Sequence, residues 1–184
     1  MIIGFVTSNG HKVSEARAVL KKYGIDIEHI ERSYEEPSDY TVEETAKIAA
    51  KRMAEEYGKP VIVEDTGIFF SAYPGFPGPN SKFVIHKIGY DGVFRLLAGK
   101  ERKAYFLSVI GYCMPGGEAR LFSGRMAGSI TDKVMHPEAD VLPYERIFIP
   151  EGYDKTIVEL GAGVKNRISH RARAFHEFGG FLSK

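Results

Sequence analysis

The sequence has a single cysteine, Cys113, among its 184 residues. One cysteine excludes an internal disulfide and any cysteine-rich zinc site. The chain also lacks an excess of charge of either sign, because 25 lysine and arginine residues face 24 aspartate and glutamate residues and leave a net charge of +1. We therefore expect no nucleic-acid partner and no attraction to an anionic membrane. A site for a polyanion has to be a local cluster of basic groups.

Long apolar runs are missing as well, and we expect no leader. The longest apolar runs are only a few residues, far short of the roughly 20 that span a bilayer. Met1 leads directly into the strand-like segment 2–6, without the charged and apolar regions of a signal peptide. We expect a cytoplasmic protein. The length and the 43% hydrophobic content predict one globular domain over residues 1–184 with a substantial core.

The most informative stretch is 61–70. Residues 61–63 are apolar and mostly β-branched, which predicts a short buried strand. The polar residues 64–67 interrupt this run, and we expect the strand to end there. Acids directly beyond a buried strand are costly unless they are solvated, paired or bound to a metal. Because ligands of open α/β sheets bind at the carboxyl ends of strands, we expect Glu64 and Asp65 to form the lip of an active site.

A second candidate site lies between a predicted first strand, 2–7, and a predicted helix, 13–20. A polar turn that contains glycine and precedes a helix directs backbone N–H groups at an anion. The turn consists of Thr7, Ser8, Asn9, Gly10, His11 and Lys12. Its glycine spacing matches neither the P-loop nor the dinucleotide-binding fingerprint. An ordinary N-capped helix also explains Ser8 and Asn9, so the turn alone leaves phosphate binding and capping open.

The remaining pattern predicts an α/β fold with an antiparallel hairpin attached to a parallel-type core. We predict helices over 41–57, 81–88, 91–97 and 165–182 and strands over 25–30, 103–112, 119–130 and 156–160. The strands on either side of Met114–Gly117 form the hairpin, in which Gly111, Gly124 and Gly128 predict bulges or tight bends. Small alanines on one face of the helix 41–57 predict close packing against the sheet.

Two charged clusters complete the candidate site. Glu36 lies in an acidic loop, 35–39, and becomes a metal ligand only if a second acid converges on it. Basic residues gather over 165–171, where they oppose the positive end of the predicted helix dipole, and a bound anion would offset that repulsion. Acids and lysines beside glycine turns fit Mg²⁺–phosphate chemistry. The alternatives are solvation for Glu36, capping of the next turn for Asp65, and surface ion pairs for the basic cluster.

Four motifs then resemble the inosine triphosphate pyrophosphatase family. Residues 7–12, TSNGHK, are similar to its T-x-N-x-x-K opening, and 64–67 with 75–78, EDTG and GFPG, to its E-D-[ST]-G…G-x-P-G signature. Residues 122–130 resemble its F-x-G-x-x-x-G-x-I strand, and 165–171 its K-x-x-x-S-H-R motif. The resemblance implies a mixed, elongated β-sheet with flanking helices, in two lobes around a central nucleotide cleft, and a homodimer.

The resemblance also implies an activity and a role for each matching residue. The family hydrolyses non-standard purine nucleoside triphosphates (ITP, dITP, XTP) to the monophosphate and pyrophosphate with Mg²⁺. It implies that Glu36 and Asp65 bind the metal and that Asp65 also activates the attacking water. The implied substrate-binding residues are the turn residues 7–12 with Thr66, Lys82, Tyr144, Glu145, Lys165, Ser169, His170 and Arg171. Among them, Lys165, His170 and Arg171 would read the purine.

Some residues depart from the family pattern. Tyr144 can stack on a purine, but Glu145 is one methylene longer than the usual aspartate, which leaves base selectivity open. Glu35 is an alternative to Glu36. Two other functions stay open: a septum-inhibitor-type pyrophosphatase acting on modified pyrimidine nucleotides, against which Ser169–Arg171 argues, and a non-catalytic nucleotide-binding module. In the second, the acids would be dispensable.

Overall fold

The computed structural model describes residues 1–34 and 40–183, whose strands and helices alternate along much of the chain. The strands are β1 Ile2–Val6, β2 Asp26–Ile30, β3 Val61–Phe70, β4 Pro77–Gly78, β5 Lys103–Cys113, β6 Arg120–Ile130 and β7 Phe148–Pro150. The α-helices are α1 Gly10–Leu20, α2 Val42–Tyr57, α3 Ser81–Leu96, α4 Ile157–Ile168 and α5 His170–Leu182. Short 3₁₀ turns cover Lys21–Tyr23 and Pro143–Arg146. None of the helices within these ranges is long and apolar enough to cross a membrane.

The described strands form one mixed sheet in the order β2-β1-β3-β5-β6-β7, with β4 paired to β3. β1 runs parallel to β2 and β3, whereas β3, β5, β6 and β7 each run antiparallel to the next strand in the sheet. The predicted α/β fold with an antiparallel hairpin is confirmed. β1 pairs with β3 only as far as Ile62, and β4 joins β3 only from Ile68 onward. Between these pairings the middle of β3 turns one edge toward the cleft described below.

The predicted end of the central strand is wrong. β3 continues through the polar residues to Phe70, because Glu64 pairs with Ile110 of β5 and Asp65 with Val109. The backbone of the polar stretch therefore keeps its sheet partners. The two acids lie in the interior of a ten-residue strand and not beyond its end.

The prediction for the C-terminal part needs two corrections. Residues 156–160 are not a strand, because Thr156 and Glu159 form a capping box that starts α4. The single helix predicted over 165–182 is two helices. Ser169 separates them with extended backbone (φ −64°, ψ 153°), and its hydroxyl accepts a hydrogen bond of 3.0 Å from Ala172 N at the start of α5. The helices predicted over 81–88 and 91–97 are confirmed as the two halves of α3, which is kinked at Gly89.

The glycines of the hairpin allow close packing and do not form bulges. β5 and β6 pair residue for residue from Lys103↔Ser129 to Tyr112↔Arg120, so the predicted bulges are absent from this hairpin. A Cβ atom on Gly111 would overlap the carbonyl oxygen of Ala46 in α2, and one on Gly124 would overlap that of His170 in α5. The glycines allow helices to approach the sheet closely on both faces, which confirms the predicted packing of α2.

The core consists of three apolar clusters around the sheet. One packs α1 and α5 against β1 and β3, with Phe5 and Phe175 among its buried residues. A second packs α2 against the opposite face and includes Ala50 and Val109. The third lies at the far end of the sheet around Phe106, against α3 and the segment before β7. Together the clusters fix the elements whose ends meet at the cleft.

Candidate active site

A cleft of about 400 Å³ lies beside the open edge of β3. The β1–α1 turn, the start of α3, the segment 142–145 and the start of α5 enclose it. The predicted site residues that line it are Thr7, Ser8, Asn9, Lys12, Asp65, Thr66, Lys82, Tyr144, Glu145, Lys165, Ser169, His170 and Arg171. Gly10 begins α1, and His11 lines an adjoining cavity of about 230 Å³. Glu36, and its alternative Glu35, lie outside the described residues.

The turn between β1 and α1 both caps the helix and lines the cleft. Asn9 is the N-cap, since its Oδ1 accepts a hydrogen bond of 3.0 Å from His11 N. Its own N–H donates to Thr7 Oγ1 at 3.2 Å. These bonds hold the turn in a fixed shape at the positive end of the α1 dipole, where an anion is favoured. Capping and anion binding are therefore compatible roles for this turn.

Glu64 is fully buried beneath the cleft and not on its lip, which corrects the prediction for this residue. Lys12 Nζ lies 2.8 Å from its Oε2, and Arg171 Nε lies 3.2 Å from its Oε1. The hydroxyls of Thr66 and Ser108 donate to Oε1 as well. Burial alone would raise the pKa of Glu64, but Arg171 and Lys12 hold it far below its usual value. The carboxylate is therefore ionised and anchors both cations.

A chain of ion pairs continues from Arg171 toward the other end of the cleft. Arg171 Nη1 lies 3.0 Å from Glu15 Oε2, and Lys165 Nζ lies 2.7 Å from Glu15 Oε1. Lys165 Nζ also lies 2.6 Å from Glu145 Oε1. Burial tends to raise the pKa of Glu15, yet Arg171 and Lys165 bring it below its usual value. The sequence prediction omitted Glu15, although its position three residues after Lys12 on α1 was a usable signal.

His170 is a neutral, buried imidazole in the wall of the cleft. It is 6% exposed, and its ring stacks on Phe106 with centroids 4.5 Å apart and planes at 8°. Burial, aided by the neighbouring charge of Arg171, lowers the pKa of His170 well below 6.5. In the described part of the chain its Nδ1 has no hydrogen-bond partner. A neutral imidazole donates from one nitrogen and accepts at the other, which suits a heterocyclic ligand.

Tyr144 is more enclosed than an open stacking platform. It is 6% exposed, and its hydroxyl donates to the carbonyl oxygen of Ser81 at 3.1 Å. Its ring meets those of Phe70 and Phe106 edge-on, with centroids 6.4 Å apart in both pairs. Burial raises the pKa of the phenol above its usual value. The residue contributes a fixed aromatic wall beside His170.

Asp65 has the position and chemistry of a metal ligand or base. It is 5% exposed, and its Oδ1 accepts a hydrogen bond of 2.9 Å from Thr66 N. Because side chains alternate along a strand, it points to the opposite face of β3 from Glu64. Mg²⁺ is bound through one or two carboxylates and completes its shell with water and phosphate oxygens. Asp65, which lines the cleft together with Ser8 and Asn9, could supply one such carboxylate. Residues 1–34 and 40–183 contain no group of three or more acidic, histidine or cysteine side chains that could hold a metal ion.

Part of the cleft wall comes from residues that the sequence motifs did not indicate. These are Arg32, Ser33, Tyr34, Pro79, Ser81, Ile85, Phe106 and Ile157. Tyr34 donates to the backbone oxygen of Glu64 at 3.3 Å, so residues 32–34 form one side of the cleft. No local pattern marks such residues, because each reaches the cleft through the packing of its own element.

Comparison with known proteins finds relatives over nearly the whole chain. The model of the Ham1 family matches residues 3–181. The dITP/XTP pyrophosphatase of Methanopyrus kandleri is 45% identical over 97% of this chain and 94% of its own length. That of Thermococcus kodakarensis is 42% identical over 100% of this chain and 98% of its own.

Two solved structures share the fold over nearly their whole length. The nucleoside-triphosphatase / dITP/XTP pyrophosphatase of Mycobacterium abscessus has a TM-score of 0.75 and 26% identity, and covers 99% of this chain and 100% of its own. The Ham1 protein of Staphylococcus aureus has a TM-score of 0.79 and 25% identity, and covers 97% of each chain. The family resemblance that the four motifs indicated is confirmed: this chain belongs to the Ham1 family.

Proposed function

We propose that the protein hydrolyses non-standard purine nucleoside triphosphates (dITP, ITP and XTP) to the nucleoside monophosphate and pyrophosphate. The observation that carries this proposal is the convergence of three groups on one cleft. The cleft is lined by an N-capped turn at a helix terminus, by an acid on the edge of a strand, and by a neutral histidine flanked by paired cations. Full-length relatives at 45% and 42% identity are named dITP/XTP pyrophosphatases, which supports this proposal.

The two ends of the cleft have different chemistry. The β1–α1 turn, with Thr66 and Lys82, offers hydroxyls, backbone N–H groups and a cation, which suit phosphates. The opposite end offers His170, Lys165 and the aromatic wall of Tyr144. We assign the triphosphate to the first end and the purine to the second.

The selectivity for the purine depends on side chains of the cleft that can donate hydrogen bonds but cannot accept them. Lys165 and Arg171 carry donors without acceptors. The 6-oxo group of hypoxanthine or xanthine can accept from the N–H groups that the carboxylate partners of Lys165 and Arg171 do not use, whereas the 6-amino group of adenine leaves those N–H groups without an acceptor. A buried unpaired donor is strongly unfavourable, so this site discriminates against adenine. Glu145 acts through its ion pair with Lys165, which fixes the ammonium in the wall.

For the chemical step we assign Asp65 as the group that orients the attacking water and accepts its proton. Asp65, together with Glu36, would hold Mg²⁺. When bound, Mg²⁺ lowers the pKa of bound water and neutralises charge on the departing pyrophosphate. Lys12 and Arg171 are held by Glu64, so this part of the cleft is preorganised before the substrate binds.

The proposal also includes the organisation that the family resemblance implied. It treats residues 1–184 as one domain with two lobes around the cleft, and it expects a homodimer. Size-exclusion chromatography with light scattering tests the second point, since a mass near the 20.5 kDa of one chain contradicts it.

The decisive experiment measures pyrophosphate release from ITP, XTP, GTP, ATP and dTTP, each with Mg²⁺ and with EDTA. We expect metal-dependent release that favours ITP and XTP by orders of magnitude. Equal turnover of all five would retain the reaction and remove the assigned base selectivity. A preference for dTTP would favour the pyrimidine-directed alternative. No release from any nucleotide would leave a binding module and remove the catalytic role of Asp65.

A further inference from the structure

Most of the positive charge around the cleft is already neutralised by the protein. Five cations among the described residues line it: Lys12, Arg32, Lys82, Lys165 and Arg171. Three of them, Lys12, Lys165 and Arg171, pair with the buried or nearly buried carboxylates of Glu64, Glu15 and Glu145. The formal charges of these three cations and three carboxylates sum to zero. Among the described residues, Arg32 and Lys82 are the cations of the cleft outside this set, and with the N–H groups of the β1–α1 turn and any bound metal ion they would compensate the charge of a triphosphate.

Arg32 lies at the phosphate end of the cleft. It follows β2, whose last residue, Ile30, accepts a hydrogen bond of 3.1 Å from Thr7 N. The ring Nε2 of His29 lies 2.9 Å from the carbonyl oxygen of Thr7. The chain beyond β2 therefore starts beside the β1–α1 turn, and Arg32 lines the same cleft as Thr7 and Ser8. The purine end, by contrast, is built by Tyr144 and by α4 and α5.

The present partner of Arg32 is a weak one. Its Nη2 lies 3.1 Å from Oε1 of Glu56 in α2, and the two side chains are 50% and 36% exposed. Ion pairs this exposed contribute little, because water and salt screen them. The pairs of Lys12 and Lys165 are different, since those side chains are only 17% and 15% exposed. A planar guanidinium has five donors, more than one carboxylate contact needs. Its geometry also matches that of phosphate oxygens.

We propose that Arg32 binds the terminal phosphates of the substrate, the part that leaves as pyrophosphate, and that its guanidinium leaves Glu56 when the phosphates arrive. This inference rests on the proposed function. It adds a phosphate ligand that none of the four sequence motifs contains. The exchange requires only a side-chain rotation at a half-exposed position, so the cost of leaving Glu56 is small.

The test compares Arg32→Ala and Glu56→Gln in steady-state hydrolysis of ITP and in inhibition by the two products. Arg32→Ala should raise the KM for ITP and the Ki of inorganic pyrophosphate about tenfold, the order expected for one charge-assisted hydrogen bond. The Ki of IMP should not change, because a monophosphate lacks the terminal phosphates. Glu56→Gln should lower the KM for ITP, because the competing carboxylate is gone. Arg32→Lys should restore part of the loss.

A purely structural tie between the loop and α2 gives a different result. Both variants would then lose thermal stability to a similar extent, with KM and both Ki values unchanged, and this outcome overturns the proposal. An equal rise in the Ki values of pyrophosphate and IMP would also overturn it, because it would reveal a general charge effect. Lys51→Ala is the matched control: it removes one positive charge and a surface ion pair of 2.7 Å with Glu118, and it should leave KM unchanged.

Failure of the proposed function remains distinguishable from failure of this inference. If the wild-type protein hydrolyses no nucleotide, calorimetry with inorganic pyrophosphate still compares wild type with Arg32→Ala. About tenfold weaker binding by the variant supports the role of Arg32. Equal binding by the two proteins removes it.

Discussion

Arg171 Nε lies 3.2 Å from Glu64 Oε1, which joins the first turn of α5 to the middle of β3 across 107 residues of sequence. Both side chains are buried, at 2% and 0% exposure. Because Lys12 binds the other oxygen of the same carboxylate, Glu64 fixes the phosphate-side turn and the purine-side helix at once. One buried acid therefore determines the relative position of the two halves of the proposed substrate site.

Glu64→Gln should destabilise the fold strongly. Removing one partner of a buried ion pair typically costs about 3–5 kcal/mol of unfolding free energy, because the remaining charges lose their compensation. Urea denaturation measures the change. Glu28→Gln is the matched control, since Glu28 makes a surface pair of 2.7 Å with Lys59 and its loss should cost less than about 1 kcal/mol. Equal costs for the two variants would show that Glu64 has no special structural role.

The same carboxylate should give stability a specific pH dependence. The folded-state pKa of Glu64 lies far below the unfolded value of about 4.3. A lowered pKa adds stability that is complete above the unfolded value and is lost as the pH falls toward the folded one. The unfolding free energy of the wild type should therefore decrease below about pH 4. In Glu64→Gln the decrease should be shallower, because it then comes from the other carboxylates whose pKa is lowered, Glu15, Glu44, Glu118 and Glu159. Urea titrations from pH 7 to pH 3 that run parallel would contradict this assignment.

Asp65→Asn should lower the rate of pyrophosphate release at least about a hundredfold, a magnitude typical of a lost general base. The amide oxygen can still accept the hydrogen bond from Thr66 N, so the fold should be retained. Pre-steady-state and steady-state assays with ITP measure the rate, and circular dichroism checks the fold. Asp91→Asn, an exposed change on α3, should leave the rate unchanged. Near-wild-type turnover by Asp65→Asn would discard the assigned role.

The sequence predicted the site better than the course of the strand through it. An acid in a buried strand is unfavourable in isolation, so ending the strand before Glu64 was reasonable. The acid is stabilised by Lys12 and Arg171, which lie 52 and 107 residues away. Local periodicity carries no information about partners at such distances. The motif positions were nevertheless sufficient to bring most of the predicted residues into one cleft, because they mark the ends and edges of elements.

The error at α4 has a different origin. The residues after Lys155 are β-branched and apolar, which favours a strand. The capping box of Thr156 and Glu159 was visible in the sequence and outweighs that preference by satisfying backbone N–H groups at the helix start. The break at Ser169 was harder to foresee, because a serine inside a helical pattern is compatible with either a cap or an ordinary exposed position.

Lys165→Ala and His170→Ala should each reduce the preference for ITP over ATP more than they change the Mg²⁺ requirement. The removed groups face the proposed position of the purine and not that of the phosphates. The ratio of kcat/KM values for ITP and ATP measures the preference, and His86→Ala on the exposed face of α3 is the control. An unchanged ratio in both variants would remove the base-reading assignment. Because the pKa of His170 is lowered well below 6.5, the wild-type ratio should also show no inflection near that pH.

Gly124→Ala should disturb the same selectivity without touching the cleft. Its Cβ would overlap the carbonyl oxygen of His170 and lie 2.6 Å from Ala174 N, so the first turn of α5 has to move away from β6. Overpacking of this kind typically costs about 1–3 kcal/mol, and the displacement of His170 should lower the ITP/ATP ratio.

Gly180→Ala is the counterpart within α5. A Cβ there meets no atom within 4 Å, and alanine in a helix should stabilise the protein by about 0.5–1 kcal/mol with the ratio unchanged. Thermal denaturation measures the stability of both variants, and the assay with ITP and ATP measures their selectivity. If Gly124→Ala matched Gly180→Ala in both readouts, the close contact between β6 and α5 would not position His170.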